Sequence, residues 1–231
     1  LISVNFFYSQ DIGPKSILLN SIETNHCIKV LRHNIGDEVN VVDGLGNTYL
    51  SKITSFDNEG CHLEIIKKHT SKRKIKIHLC IAPTKNHKRL EWMMEKIVEI
   101  GVDRVTFMVC ERSVRNTINL NRLNKVALSA MKQTQNSFLP IIDDCIFFSD
   151  IFKIISSEDL FIAHLNNKNN KLLKSELKST RSRCIMIGPE GDFTDAEVSN
   201  AVENNFIEVS LGPTRLRTET SGLVSTTILN L

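Results

Sequence analysis

From residue 75 onward the sequence alternates short apolar runs with segments of helical periodicity. Apolar residues alternate with polar or smaller ones over 75–81, as in a strand, and Pro83 ends that run. Apolar residues then recur at helical spacing as far as Gly101, and a second helix over 120–131 must stop before Pro140. Further strands are predicted at 105–109, 160–164, 184–187 and 207–211, and a helix start at the capping box of Thr194 and Glu197. Strands that alternate with helices predict an α/β domain whose mostly parallel sheet is covered on both faces.

The first 70 residues have a different pattern, rich in short strands. Strands are predicted at 38–42, 48–56 and 61–66, separated by turns that contain glycine, and a short helix over 21–31. Short strands joined by hairpin turns indicate a small β-barrel. The basic stretch 67–74 is interpreted as a domain connection. We therefore predict a small domain over 1–70 and an α/β domain over 71–231.

The charge of the chain is informative through its distribution. The net charge is only +3, but cations cluster. The clusters are Lys67, Lys68, Lys72, Arg73, Lys74 and Lys76, then Lys85, Lys88 and Arg89, then Arg112 and Arg115. Neighbouring cations can follow a phosphate backbone, with an affinity that falls as salt rises. The plainer interpretation, a solvated linker, is the better one for a single run.

The cysteines and the apolar runs indicate the class of protein and its location in the cell. Six cysteines are scattered without a C-x-x-C pair, which argues against a zinc cluster, and no structural metal is predicted. No run approaches the roughly 20 apolar residues that span a bilayer. The first fifteen residues lack a basic segment followed by an apolar one. The expectation is a soluble cytoplasmic protein with reduced thiols.

Two predicted strands run into loops that contain glycine and proline. The strand ending at Ile187 continues into Gly188-Pro189-Glu190-Gly191, whose glycines let a ligand approach the backbone. A turn of this kind is more often structural than functional. The segment 209–220 repeats the pattern, and ligands of open α/β sheets bind beyond the carboxyl ends of strands. Two such loops together favour a shared pocket.

The second loop carries charges just before a predicted C-terminal helix. Thr218 or Thr220 is the expected cap, and Glu219 would lie near the positive end of the helix dipole. A purely structural interpretation pairs Arg217 with Glu219. Neither loop has the spacing of a dinucleotide site or a P-loop, so cofactors held through phosphates are disfavoured.

At these residues the sequence resembles the ribosomal RNA small subunit methyltransferase E family. These enzymes are 16S ribosomal RNA (uracil-N3) methyltransferases of the SPOUT superfamily, and the resemblance covers nearly the whole chain. Its main signature is Gly188-Pro189-Glu190-Gly191 followed by Leu211-Gly212-x-x-Arg215-Leu216-Arg217-Thr218-Glu219-Thr220. Weaker matches are 26–32, Gly36-Asp37 and Asp43-Gly44 in a PUA-like domain, then Lys85, Glu91, 96–102, 111–113, 130–133 and Pro140.

The resemblance implies a fold, a cofactor and partners. The α/β domain would be a SPOUT domain with a C-terminal trefoil knot, preceded by a PUA-like β-barrel that binds RNA. S-adenosyl-L-methionine would be the cofactor, 16S ribosomal RNA in the small subunit the substrate, and a second copy of the chain the partner in a homodimer. The implied cofactor-binding residues are His164, Ile187, Gly188, Pro189, Glu190, Gly191, Leu211, Gly212, Leu216, Arg217 and Thr220. For His164, a structural role is the stronger interpretation.

Catalysis and RNA binding give two further hypotheses. Arg217 or Arg215 would stabilise negative charge on the uracil ring, and Glu219 would fix the arginine or accept the proton. Phosphate contacts are expected from Arg32, Lys85, Arg89, Arg112, Lys132 and Gln133. Arg112 follows Glu111, so a surface ion pair is its alternative role.

The sequence departs from the family pattern in two places, and two other functions stay open. Residues 134–137 lack the usual basic residue, which removes one RNA contact, and Asp192 stands where many members have glycine. One alternative function is a non-catalytic RNA-binding factor in ribosome assembly. The other is a related SPOUT enzyme that methylates a ribose or another RNA position.

Overall fold

The computed structural model describes residues 6–165 and 171–231, which fall into two units. The first comprises Leu1–Lys72 with Leu128–Leu139, and the second Arg73–Ala127 with Pro140–Leu231. The strands are β1 (Phe6–Tyr8), β2 (Asp11–Ile12), β3 (Ser16–Leu19), β4 (Glu38–Val42), β5 (Asn47–Phe56), β6 (Cys61–Thr70), β7 (Lys76–Ile81), β8 (Arg104–Val109), β9 (Ile141–Phe147), β10 (Asp159–Ala163), β11 (Ser182–Ile187) and β12 (Ile207–Val209). The helices are α1 (Ser21–Thr24), α2 (His87–Ile100), α3 (Leu120–Gln133), α4 (Asp195–Glu203) and α5 (Thr218–Leu229).

The first unit is built on a mixed six-stranded sheet in the order β1-β4-β5-β6-β3-β2. Only β1 and β4 pair in parallel; the other neighbours are antiparallel. Its core contains Phe7, Leu19, Val41, Ile53 and Leu63. The predicted strands are confirmed, and the predicted helix over 21–31 is α1 followed by a π-helical turn over Asn25–Val30.

The interpretation of 67–74 as a connection is wrong in its first half. Lys67–Thr70 belong to β6, because their backbones continue the ladder with β5, where Lys68 pairs with Tyr49. The Lys68 ammonium lies 5.4 Å from the centre of the Tyr49 ring. Charged side chains on the exposed face of a strand do not interrupt its hydrogen bonds, so charge alone misled the prediction.

Residues 128–139 complete the first unit. Lys132 on α3 pairs with the buried carboxylate of Glu23 at 2.5 Å. Gly46 has a φ of 103°, and its N–H donates to Ser137 O at 2.8 Å. A Cβ at Gly46 would lie 2.7 Å from the ring of Phe138, so only glycine fits this approach.

The second unit contains a fully parallel sheet in the order β12-β10-β11-β7-β8-β9. Helix α5 packs on β7, β11 and α2, and the predicted α/β class is confirmed. Strand β9 was not predicted, because Asp143 and Asp144 interrupt its apolar pattern. Among the described helices, none is long and apolar enough to cross a membrane.

A polar network crosses this sheet through β7, β8 and β9. His78 Nε2 lies 2.8 Å from Thr106 Oγ1, and the Thr106 hydroxyl donates to Asp143 Oδ2 at 2.5 Å. Arg104 donates two hydrogen bonds to the same carboxylate. Burial, reinforced by the charge of Arg104, lowers the pKa of His78 to about 4, so its ring is neutral at pH 7.

The predicted ends of two helices are confirmed, and one is wrong. Thr194 and Glu197 form the capping box of α4, and Gly101 follows α2 with a φ of 109°. The expected cap of α5 by Thr218 or Thr220 is wrong. Arg217 occupies the N-cap position without a side-chain hydrogen bond, because the Thr218 hydroxyl donates to Gly188 O at 3.2 Å instead.

Candidate functional site

A cavity of about 380 Å³ lies at the carboxyl ends of β10, β11 and β12 in the second unit. Both glycine-containing loops line it, as the sequence predicts. Its lining residues are Arg89, Ala163, His164, Leu165, Ile187, Gly188, Pro189, Glu190, Asp192, Val209, Ser210, Leu211, Gly212, Thr214, Arg215, Leu216, Arg217, Thr218, Glu219 and Ser221. Of the residues expected to bind a cofactor, Gly191 and Thr220 are not part of the lining.

The two loops are fastened to each other and to the segment that follows β7. Arg215 donates from Nη2 to the Glu190 carbonyl at 3.3 Å, and Thr218 bonds Gly188 as described above. Glu190 Oε1 accepts from the Lys85 amide at 3.0 Å. A Cβ on Gly188 would lie 3.1 Å from the Phe193 ring, so a side chain there would crowd the turn. The loop backbones are therefore held before any ligand enters.

Gly191 has a structural role next to the cavity. Arg112 donates from Nη1 to the carbonyls of Gly191 and Phe193, at 3.1 and 3.2 Å. A Cβ on Gly191 would lie 3.2 Å from Arg112 Cβ. The alternative pairing of Arg112 with Glu111 is not what the structure has, and Arg112 instead fixes this loop.

Asp192, the departure from the family pattern, lines the cavity in a left-handed backbone conformation. Its φ is 62°, which aspartate tolerates better than most residues. Its carboxylate accepts from the Leu165 amide and the Phe193 amide, both at 2.9 Å. The side chain thus connects the end of β10 to the loop after β11, a contact that glycine cannot make.

Three arginines line the cavity, and they differ in their bonding. Arg215 is bound to the Glu190 carbonyl. Arg89, on α2, lies 3.6 Å from the buried carboxylate of Glu219, so the purely structural alternative that pairs Glu219 with Arg217 is wrong. Within the described residues, the exposed Arg217 guanidinium has no hydrogen bond or ion pair. Arg217 is therefore the cavity arginine that is available to a ligand.

His164 at the end of β10 is held by a neighbouring strand. Its Nε2 lies 2.8 Å from Glu208 Oε2 on β12, and its side chain is buried. This is the satisfied structural histidine that the sequence favoured, although its ring also lines the cavity.

The residues expected to contact RNA are divided between the two units. Arg32 is exposed in the first unit with a φ of 59°, and Gln133 is exposed at the end of α3. Lys132 is paired with Glu23, and Arg112 with loop carbonyls. Lys85 is exposed next to the cavity. Arg89, the last of the six, belongs to the cavity wall.

Several lining residues lie outside the sequence signature of the site. Ser221, on the first turn of α5, and Ala163 and Leu165, at the end of β10, are examples. Their signal was available in part, because every parallel strand ends at the same edge of the sheet. No local sequence pattern predicts the ion pair of Arg89 with Glu219, since 130 positions separate the two residues.

Comparison with known proteins agrees with this geometry. An RNA methyltransferase domain family matches residues 71–230, and an RNA methyltransferase PUA domain family matches residues 22–66. The chain is 26% identical to the ribosomal RNA small subunit methyltransferase E of Buchnera aphidicola, over 96% of this chain and 91% of that protein.

Solved structures give the same fold. A probable rRNA-methyltransferase from Porphyromonas gingivalis superposes with a TM-score of 0.87 at 36% identity, covering 96% of this chain and 95% of that one. The ribosomal RNA small subunit methyltransferase E of Neisseria gonorrhoeae, solved bound to S-adenosyl methionine, gives 0.84 at 24% identity with the same coverage. The chain belongs to the RNA methyltransferase family and, within it, to the ribosomal RNA small subunit methyltransferase E family.

Proposed function

We propose that this protein transfers a methyl group from S-adenosyl-L-methionine to N3 of a uridine in 16S ribosomal RNA of the small ribosomal subunit. The observation that carries the proposal is the cavity framed by both glycine loops, with the uncommitted guanidinium of Arg217 on its wall. Family membership supports the reaction class. The choice of N3 rests on the resemblance of the two loops to enzymes of that specificity.

The cavity has the chemistry that this cofactor needs. Apolar side chains of Leu165, Ile187, Leu211 and Leu216 line it beside backbone groups of the glycine loops, and this mixture suits a nucleoside with polar substituents. Gly212 has a φ of 142° with no heavy atom near its missing Cβ, so the chain turns there without a side chain in the cavity. When bound, S-adenosyl-L-methionine supplies an electrophilic methyl group carried on a sulfonium.

The residues of the protein must then make uridine N3 nucleophilic. N3 carries a proton in the neutral ring, and loss of that proton leaves negative charge shared with O2 and O4. A cation placed beside those oxygens favours the anion, and a preorganised group of this kind contributes about 10²–10³ in rate. Arg217 is free for this role, whereas Arg215 is bound to the Glu190 carbonyl.

Glu219 is assigned a positioning role. Its buried carboxylate lies 3.6 Å from the guanidinium of Arg89 and is paired with it. Glu219 therefore orients Arg89 on the cavity wall, where that guanidinium can bind RNA phosphate or the target base. The N3 proton leaves to solvent.

RNA contacts outside the cavity are assigned to exposed cations. Arg32 and Lys85 have exposed side chains with no ion pair in the described part of the chain, so both are free to bind phosphate. Lys132 and Arg112 are committed to Glu23 and to loop carbonyls, so their charges are less available to RNA phosphate. Gln133, exposed at the end of α3, contributes a hydrogen bond without charge.

Assembly and location follow from the same family. We include in the proposal a homodimer and a trefoil knot formed by the segments around the two loops, with the protein in the cytoplasm beside its ribosomal substrate. The position of α5 supports the knot, because the chain leaves edge strand β12 and returns to pack on the central strands β7 and β11. Light scattering on the purified protein measures the dimer directly.

The test is methyl transfer to small ribosomal subunits from cells that lack their own enzyme, followed by digestion to nucleosides. The expected product is 3-methyluridine, formed by the wild type and by Arg181→Ala, an exposed arginine outside the cavity. Arg217→Ala should lower turnover by about 10²–10³ at saturating cofactor. A ribose-methylated nucleoside would assign another RNA position, and absence of both transfer and cofactor binding would favour the assembly factor.

A further inference from the structure

Two cysteines and a histidine meet inside the parallel sheet, away from the cavity. His78 and Cys80 are two positions apart on β7, so their side chains leave the same face of the sheet. Cys184 on β11 is the register partner of His78, which places it on that face as well. All three residues are buried.

The three side chains lie close enough together to share one metal ion. Cys80 Sγ lies 3.7 Å from Cys184 Sγ and 3.4 Å from His78 Nε2, and all three atoms lie within 4.8 Å of one another. Tetrahedral zinc, with Zn–S near 2.3 Å and Zn–N near 2.0–2.1 Å, separates neighbouring ligand atoms by about 3.5–3.8 Å. The two separations that involve Cys80 are close to this spacing, and the His78 and Cys184 ligand atoms lie within 4.8 Å of each other.

The charge of such a complex suits its buried position. A divalent ion with two thiolates and a neutral imidazole has no net charge, which avoids the large cost of an unpaired buried ion. Each thiol releases one proton as the metal binds. The bond between His78 Nε2 and Thr106 is exchanged for a bond to the metal, and the Thr106 hydroxyl remains beside the ligands as an oxygen donor.

The surroundings of the cluster supply a route from solvent. The polar network of Thr106, Asp143 and Arg104 lies directly beside His78, and the side chains of Asp143 and Arg104 are partly exposed. Solvent therefore reaches the network next to the site, although the three ligands are covered.

We propose that His78, Cys80 and Cys184 bind a thiophilic divalent cation, with Zn²⁺ the expected occupant. The site would join β7 to β11 and is separate from the cavity at the carboxyl ends of the strands. The sequence predicted no structural metal because it lacks a C-x-x-C pair. Here 104 positions separate the two cysteines, and only the parallel pairing of the strands brings them together.

The test is metal binding by the full chain, purified without chelator. The expected result is one zinc per chain by elemental mass spectrometry, and a thiolate-to-cobalt charge-transfer band when Co²⁺ replaces zinc. Cys184→Ser and His78→Gln should lose the band and the zinc. Cys110→Ser, which changes a buried thiol in the same apolar cluster but outside the trio, should keep both.

The decisive measurement is made on the wild-type protein, so it depends neither on methyl transfer nor on how the variants fold. A wild-type protein that takes up neither stoichiometric zinc nor tetrahedral cobalt would overturn the proposal, and the trio would then be a hydrogen-bonded part of the sheet core. Retention of the cobalt band in Cys184→Ser would also overturn it, since the ligands would lie elsewhere. A wild-type protein that binds zinc but transfers no methyl group would contradict the proposed function and leave the metal site supported.

Discussion

The two ends of the parallel sheet in the second unit carry polar groups that are used in different ways. At the carboxyl ends, polar side chains belong to loops and bond mainly to backbone, as Asp192 does with the Leu165 amide and Thr218 with the Gly188 carbonyl. Toward the amino ends, they belong to strands and bond to one another, as His78, Thr106 and Asp143 do.

This difference separates ligand binding from stability. Loops fixed through their backbone leave other side chains, such as Arg217, without a partner in the described structure, and such a group can bind a ligand. In the strand network the side chains hydrogen-bond to one another. Removal of one side chain therefore leaves the polar groups of its buried partners without a hydrogen bond. Changes at the carboxyl end should therefore alter activity with little effect on stability, and changes in the network should do the reverse.

The largest effect is expected for Arg217→Ala. Turnover should fall by about 10²–10³, or roughly 2.7–4 kcal/mol of transition-state stabilisation. The thermal midpoint should stay within the error of the wild type, because no intramolecular bond is removed. Single-turnover methyl transfer and calorimetry on one preparation measure both quantities. A clear drop in the midpoint would show that Arg217 supports the fold. The carboxyl end of the sheet would then not be separate from stability.

Asp143→Ala is the matching change in the network. It removes the acceptor for Arg104 and Thr106, and bonds to a charged group are worth about 1.5–3 kcal/mol, so unfolding should need that much less free energy. Asp144→Ala, which changes the exposed neighbour, is the control. Denaturant unfolding of metal-free protein gives the comparison. Normal stability together with lost methyl transfer would contradict the assignment of the network to folding.

Thr218→Val tests the bond that connects the two loops. Valine keeps the shape of threonine but leaves the Gly188 carbonyl without its donor, at a cost of about 1 kcal/mol. If that cost falls on the arrangement of the cavity, the dissociation constant of the cofactor should rise about fivefold by calorimetry. Thr227→Val, at an exposed threonine that bonds only within α5, should leave the affinity unchanged.

Local patterns predicted most of the sheet, and pairing between distant residues explains what was missed. The strand over 75–81 was identified because its apolar residues alternate, and the loop at Gly188 because glycine and proline follow a strand. Strand β9 was missed because Asp143 interrupts its apolar pattern. Arg104 and Thr106 on the neighbouring strand donate hydrogen bonds to this carboxylate, and only the folded sheet brings them together. The pairing of Glu219 with Arg89 and the trio around Cys80 likewise exist only once the strands and helices are assembled.

Asp192→Gly should have the smallest effect on activity. It tests a single side-chain contact at the carboxyl end of the sheet. Glycine relieves the left-handed backbone at φ 62°, and the loss of the bonds to the Leu165 and Phe193 amides offsets this gain at about 0.5–1.5 kcal/mol each. Stability should therefore change little. The end of β10 would lose its connection to the cavity wall, so the KM for cofactor should rise about threefold with kcat unchanged, while Asp192→Asn should preserve the contact to Leu165 and the wild-type KM. Equal KM values for the glycine and wild-type proteins would show that the Leu165 contact is dispensable, and that the backbone bonds of the two glycine loops hold the cavity without it.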